Sequence, residues 1–259
     1  MKIKLRKLIE RCAYPSIFFI TILSLWQLSI KIFHIPEYIL PSPYQIAHTF
    51  QKTSGLILKH AYVTSGEIIT GYIIGIVLGF ILAVFITSFK ILFKTIYPFV
   101  IAIQSLPKLA LAPLFVIWFG FGILPKIIIV ALIVLFPVLV TTIKGLLSVS
   151  ADLIDFMKSL NASKSQVLFK IRIPASVPYF FAGLKISITL AVVGAIIGEF
   201  VGADKGLGYL IMMSSVDLNT SRMFASLVLL SIIGLLLFGL ICLLERVILH
   251  WHITGNEHK

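Results

Sequence analysis

The chain has 259 residues, 59% of them apolar and only 12% charged, and carries 22 Lys and Arg against 10 Asp and Glu for a net charge of +12. With a mean hydropathy of +1.08 it is excluded from the soluble domains, because a globule of this size cannot hide that much apolar surface in a core. The basic residues are scattered among apolar stretches rather than gathered on one soluble face, which argues against nucleic acid as a partner and for a lipid bilayer.

A membrane-crossing helix needs about 20 apolar residues. Six stretches qualify: approximately Tyr14–Phe33, Ser65–Thr87, Ile91–Phe119, Ile127–Leu147, Phe180–Val201 and Met223–Leu249. The expected fold is an all-α membrane protein, with a basic N-terminus over residues 1–13, a transmembrane domain over 14–249 and a short tail over 250–259.

The first stretch follows a basic start from Lys2 to Arg11, as a signal peptide would. Its exit, Ser29-Ile-Lys-Ile-Phe-His-Ile-Pro36, offers no small-x-small cleavage site, so a retained anchor is expected. His34, His48 and His60 fall in the connection that follows, at no metal-ligand spacing. In the second stretch Gly71, Gly75 and Gly79, continued by Ala83, place a small residue every four positions, the pattern that lets helices approach closely in lipid. Glu67 lies near its start and reads either as an interfacial acid or as one turned toward protein or water. The third stretch is too long for one straight span and contains Pro98, Pro107 and Pro113, so a kinked or broken helix is expected. Gln104, Ser105 and Lys108 cluster at its middle proline. Polar residues at a helix break are candidates for lining a pathway; Lys108 reads also as a lysine reaching an interface or a carbonyl that the break has freed.

Between the fourth and fifth stretches lies a polar island, residues 150–174. Leu153, Phe156, Met157 and Leu160 give it one apolar stripe at helical spacing. Asn161 breaks that pattern. Ser163 and Gln166 have the S-x-x-Q spacing of a capping box that starts a second helix, whose apolar face is Val167, Leu168 and Ile171 and which Pro174 is expected to end. A helix, a turn and a second helix on a membrane surface make a docking handle for a partner. In the fifth stretch Gly194, Gly198 and Gly202 repeat the small-residue ladder, and Glu199 sits among them as a second intramembrane acid, interfacial or pathway-lining.

The run Gly202-Ala-Asp-Lys-Gly-Leu-Gly208 lacks the spacing of a phosphate-binding loop, and no G-x-x-x-x-G-K-[ST] occurs, so the chain is not expected to hydrolyse ATP. Cys12 and Cys242 are too far apart for a metal site and are not expected to pair. His250 and His252 flank Trp251 at the last membrane exit, as interfacial residues do. No catalytic constellation is visible. Fourteen Lys and Arg fall on the side of the termini and of the polar island and six on the other, with Lys108 and Lys185 inside spans. The positive-inside rule then puts both termini and the island in the cytoplasm.

The polar island resembles the EAA loop of bacterial ABC importer permeases, in which E-A-A is followed after three residues by G and after nine more by I-x-L-P. Asp155-Phe156-Met157 stand at E-A-A, Asn161 at G, and Ile171-Arg172-Ile173-Pro174 at the end of the pattern. Asp keeps the acid, and Asn adopts the left-handed conformation more readily than other non-glycine residues, whereas Phe-Met puts bulk where the family has small residues. The strings Leu40-Pro-Ser-Pro43, Leu106-Pro-Lys-Leu-Ala-Leu-Ala-Pro-Leu-Phe-Val-Ile-Trp-Phe-Gly120 and Gly194-Ala-Ile-Ile-Gly-Glu-Phe-Val-Gly202, followed by Gly206-Leu-Gly-Tyr-Leu210, resemble the nitrate/sulfonate/taurine branch, which includes permeases for thiamine-precursor pyrimidines and for riboflavin.

The resemblance implies a type I importer permease fold in the bacterial cytoplasmic membrane. It implies a homodimer, an ATP-binding cassette ATPase docked on Leu153, Asp155, Phe156, Met157, Leu160, Asn161, Ile171 and Pro174, and an extracytoplasmic substrate-binding protein. ATP and Mg would belong to the ATPase, with no cofactor or metal on this chain. The alternative class, an ion- or proton-coupled secondary carrier, calls for paired intramembrane acids or inverted repeats, and no repeat relates the two halves.

Overall fold

The computed structural model describes residues 2–104 and 106–249, with side chains from Ala13 onward. Ser105, the side chains of the basic N-terminus and of Cys12, and residues 250–259 with His250, Trp251 and His252 lie outside the described residues. The described residues are helical, with no strand among them. In chain order the helices are α1 (Lys2–Phe33), α2 (Pro43–Ser88), α3 (Lys90–Gln104), a 3₁₀ turn (Lys108–Leu111), α4 (Ala112–Phe119), α5 (Ile123–Leu146), α6 (Ala151–Ser159), α7 (Lys164–Val167), a π-helical segment (Leu168–Arg172), α8 (Ile173–Gly202), α9 (Leu207–Val216) and α10 (Thr220–Ile248). Five helical segments are long and apolar enough to cross a membrane, and α3 with the Lys108–Phe119 segment, bent by more than 40° at a short break, makes a sixth. The break falls beside Pro107, while Pro98 is accommodated inside α3.

Three features differ from the sequence-based expectation. The connection after the first span, expected as a loop, is helical from Pro43 onward. Ser42 and Gln45 form a reciprocal capping box there, with the Ser42 amide donating to Gln45 Oε1 at 2.7 Å and the Gln45 amide to Ser42 Oγ at 3.3 Å, and Pro43 takes the first helical position, where its missing N–H costs nothing. Scattered lysines and glutamines hid the helical period; Thr53, with φ −115° and ψ 19°, interrupts the helix within it. Second, Pro174 does not end the helix begun at Lys164. The chain passes through the π-helical segment into α8, and Pro174 sits in the first turn of α8, where no amide donor is needed. Third, a short apolar helix, α9, stands between the last two spans.

The structure divides into two units, residues up to His60 with Leu210–Leu229, and Ala61–Tyr209 with residues from Leu230. In the first, Trp26 packs on Phe224 with ring centroids 6.0 Å apart. Glu37 there accepts from Ser221 Oγ at 2.6 Å and from Gln45 Nε2 at 3.0 Å, and Thr220 Oγ1 donates to the Tyr38 carbonyl at 2.7 Å. In the second unit α5 is buried around most of its circumference and packs most extensively on α8. Its Val130, Val134 and Val138 join Ile68, Tyr72, Phe181, Leu184 and Ile188 in the main core. With no hydrophobic force between helices in lipid, close packing must hold this core together. Both glycine ladders serve it: a Cβ on Gly71, Gly75 or Gly79 would lie 2.6–2.9 Å from Val130, Ala131, Val134 or Leu135 of α5, and one on Gly194 2.8 Å from Ile133. Gly198 abuts Lys126, and Gly202 abuts Val116 and Phe121.

Candidate functional site

As far as Gln166 the polar island folds as its sequence dictates. Ser150 caps α6 by accepting from the Leu153 amide at 3.4 Å. At the other end Asn161 adopts a left-handed φ of 56°. The Ala162 amide then reaches the Met157 carbonyl at 3.0 Å and the Asn161 amide the Lys158 carbonyl at 2.8 Å, the two bonds of a Schellman turn. One residue later Ser163 and Gln166 form the expected capping box at 2.7 and 3.2 Å. The two short helices are therefore fixed at every free end by local hydrogen bonds, although α6 buries none of its own side chains.

What they present is apolar. Phe156 is 59% and Leu160 63% exposed, Leu153 is exposed beside them, and Met157 is half-buried. Asp155 faces solvent and pairs with Lys158 at 2.7 Å, an exposed pair of little energetic weight. Val167 anchors the second helix by burial; Ile171 is half-buried and Pro174 exposed. A pre-formed stripe of large apolar side chains on a capped helix has the chemistry of a protein-docking knob.

The broken third span holds a different setting. Lys108 Nζ donates to the Gln104 carbonyl at 3.3 Å, one of the acceptors that the break sets free, and lies 4.6 Å from the centroid of the Phe136 ring. The Gln104 side chain is exposed. Glu199 has other partners. Its Oε1 accepts from Thr64 Oγ1 at 2.6 Å and its Oε2 from the Gly208 amide at 2.5 Å, while Thr64 Oγ1 in turn accepts from the Leu207 amide at 2.7 Å.

Glu67, one helical turn from Thr64, is ion-paired with Lys126. Glu67, Glu199 and Thr64 are each 0% exposed and Lys126 3%. The two acids are thus enclosed by protein rather than interfacial. Lys126, one of the six basic residues that charge alone assigns to the side opposite the termini, is a buried residue of α5, and the pattern of hydropathy could not reveal it because its partner lies on another helix. A further pair, Lys185 with Glu245 at 2.9 Å, links α8 to α10 in the same unit. Among the described residues no group of three or more His, Cys, Asp or Glu is placed to hold a metal ion.

Comparison with known proteins agrees with this architecture. Residues 75–250 match the family described as binding-protein-dependent transport system inner membrane component. The chain is 34% identical over 238 residues, 92% of its length and 95% of the relative's, to the formylaminopyrimidine transport permease protein ThiX of Halalkalibacterium halodurans. It is 36% identical to the riboflavin transport system permease protein RibX of Chloroflexus aurantiacus, over 89% of this chain and 87% of that one. To the aliphatic sulfonates permease SsuC of Bacillus subtilis, itself a putative assignment, identity is 29% over 89% and 84% of the two chains. Among solved structures, an inward-facing form of the MetNI methionine ABC transporter has a chain that superposes with a TM-score of 0.67 at 20% identity, covering 76% of this chain and 97% of that one, which is a likeness of fold.

Proposed function

This chain belongs to the binding-protein-dependent transport system inner membrane components, the permease subunits of ABC importers, and from that premise we propose that it passes a small nitrogen heterocycle, a substituted pyrimidine or a flavin-like compound, across the cytoplasmic membrane. The observation that carries this reading is the near full-length similarity to the formylaminopyrimidine and riboflavin permeases, which exceeds that to the sulfonate permease.

The family implies two kinds of partner, an ATPase and an extracytoplasmic binding protein. In our reading the ATPase grips the stripe Leu153, Phe156, Met157 and Leu160, with Asp155, Asn161, Ile171 and Pro174 shaping its frame. Both termini then lie in the cytoplasm, as the excess of Lys and Arg on that side favours. ATP and Mg are held by the ATPase and none by this chain, whose sequence offers no phosphate-cradling loop. Two copies enclose one path, since five or six spans barely surround a polar passage. Gln104, Ser105 and Lys108, at the broken span, are the pathway candidates; Glu199 is better accounted for by the partners that already occupy its carboxylate.

The test is uptake into vesicles by the permease reconstituted with its ATPase and binding protein, using labelled formylaminopyrimidine, riboflavin, taurine and an alkanesulfonate. ATP-dependent accumulation of one of the heterocycles is expected. Accumulation of taurine or the sulfonate alone overturns the substrate reading, and uptake driven by an ion gradient with no ATPase present overturns the importer mechanism for this chain.

A further inference from the structure

The docking stripe and the broken span leave one group of side chains without a part: the buried cluster of Glu67, Lys126 and Glu199. Three ionisable groups that are at most 3% exposed are costly to retain, and these three come from three different helices, α2, α5 and α8. Glu199 does more than balance charge. The amides of Leu207 and Gly208 begin α9, and the first amides of a helix have no partner inside it. They are satisfied by side chains from elsewhere in the chain: Gly208 by Glu199 directly, and Leu207 by Thr64, which passes its own hydroxyl hydrogen to Glu199. A carboxylate is the strongest acceptor for such amides.

The turn is also shaped to admit it. Gly206 has a φ of +121°, and a Cβ there would fall on the Glu199 carboxyl group; a Cβ on Gly208 would come within 2.8 Å of it. On the opposite side, a Cβ on Gly198 would lie 3.2 Å from the Lys126 stem, so the small residue leaves the channel through which the lysine threads to Glu67. The Lys126 ammonium is thus ion-paired with Glu67.

We propose that Glu199 is a positioning residue for transport: its carboxylate, set in a cradle made by Gly206 and Gly208 and tied to α2 by Thr64 beside the Glu67–Lys126 pair, clamps the turn 203–208 to the membrane-crossing core and keeps it clamped through the cycle. The clamp needs no particular solute, and it stands whether or not the carried compound is a heterocycle.

Leu207 is 0% exposed, so a cysteine there reports on the clamp. In a Cys12→Ser, Cys242→Ser, Leu207→Cys parent, a membrane-impermeant maleimide applied to open membrane fragments should label position 207 slowly. Glu199→Ala should raise the labelling rate by about tenfold or more, the loss expected when hydrogen bonds to a charged group are removed. Gly206→Ala, which alters no charge, should do the same. Glu199→Gln should fall between, because its amide keeps one acceptor oxygen of two.

Lys126→Met, which leaves the buried Glu67 without its ion-pair partner, should also release the turn, and adding Glu67→Met should bring labelling back to within about twofold of the parent, because the two act as a coupled pair. Two independent sites would instead give the double variant the product of the two single effects. In the assembled complex hydrolysing ATP, position 207 should stay as protected as at rest; absence of hydrolysis would mark a failure of assembly, a separate matter from the clamp. The proposal is overturned if Glu199→Ala and Gly206→Ala leave labelling unchanged, if the double variant labels faster than Lys126→Met, or if the parent becomes reactive during turnover. Should Lys126→Met fail to reach the membrane, the Gly206→Ala result decides.

Discussion

Asn161 shows how much one backbone angle carries. Its φ of 56° closes the turn between the two short helices, and glycine reaches that conformation at no steric cost. Asn161→Gly should therefore leave the segment intact, while Asn161→Val, branched at Cβ, should lose about 1–3 kcal/mol. Limited proteolysis of the 150–174 segment in membranes measures the difference; equal resistance of the two variants would contradict the account.

The ladder glycines answer to a different constraint, that of space. A Cβ at Gly75 would stand 2.7 Å from the Ala131 carbonyl oxygen and 2.7 Å from Val134 Cβ, atoms close to the backbone that cannot swing aside. Gly75→Val should cost about 1–3 kcal/mol by overpacking. Gly66→Ala, with nothing within 4 Å of the added atom, should leave the thermal midpoint of the detergent-solubilised protein unchanged. A midpoint equally insensitive to both would show that the ladder is not a packing seam.

At the scale of elements, α6 offers the clearest consequence. Among the described residues its Phe156 side chain stays 59% exposed, so truncating it should leave the permease folded and inserted. Phe156→Ala should weaken ATPase association by about thirtyfold, the equivalent of roughly 2 kcal/mol for an anchor in a buried pocket, read as loss of copurification in a pull-down. Undiminished copurification would show that the stripe rests on lipid instead.

The same elements show what the sequence discloses. Ser163 and Gln166 announce a helix start because the signature stands against an apolar run. Ser42 and Gln45 carry the same signature before Pro43, but the next turns are too polar for periodicity to draw attention to it. Pro174 reads as a stop in one dimension, yet it is equally at home in a first helical turn, and the π-helical segment before it leaves no mark in composition. The Glu199–Thr64 bond spans 135 residues, and Lys126 looks like any loop lysine until α2 lies beside it. Local hydrogen bonding is written in short words of sequence, whereas pairings across helices become visible only when the helices are placed.

For the whole molecule, the bias of Lys and Arg toward one side sets the expected orientation. Cysteines placed at the exposed positions Ser165 and Lys205 should react with impermeant reagent from opposite sides of sealed membranes, Ser165 from the cytoplasmic side alone. Labelling of both from one side would contradict the charge-based orientation.

The distribution of polarity has a consequence for how this chain tolerates change. Glu67, Lys126, Glu199, Thr64, Ser176 and Ser187 are buried, while Leu235, Leu236, Leu243 and Val247 lie on the outside. In a water-soluble globule, drift is permissive toward polar residues outside and apolar ones within. Here the allowed alphabet is reversed: exchanges among Leu, Ile, Val and Phe on the outward face of α10 should pass almost silently, whereas a single carboxylate there, or an apolar swap for a buried serine, should be purged. Substitution records gathered by mutagenic selection should carry that inverted signature, and they would outline the lipid-facing boundary of the molecule without any structural measurement at all.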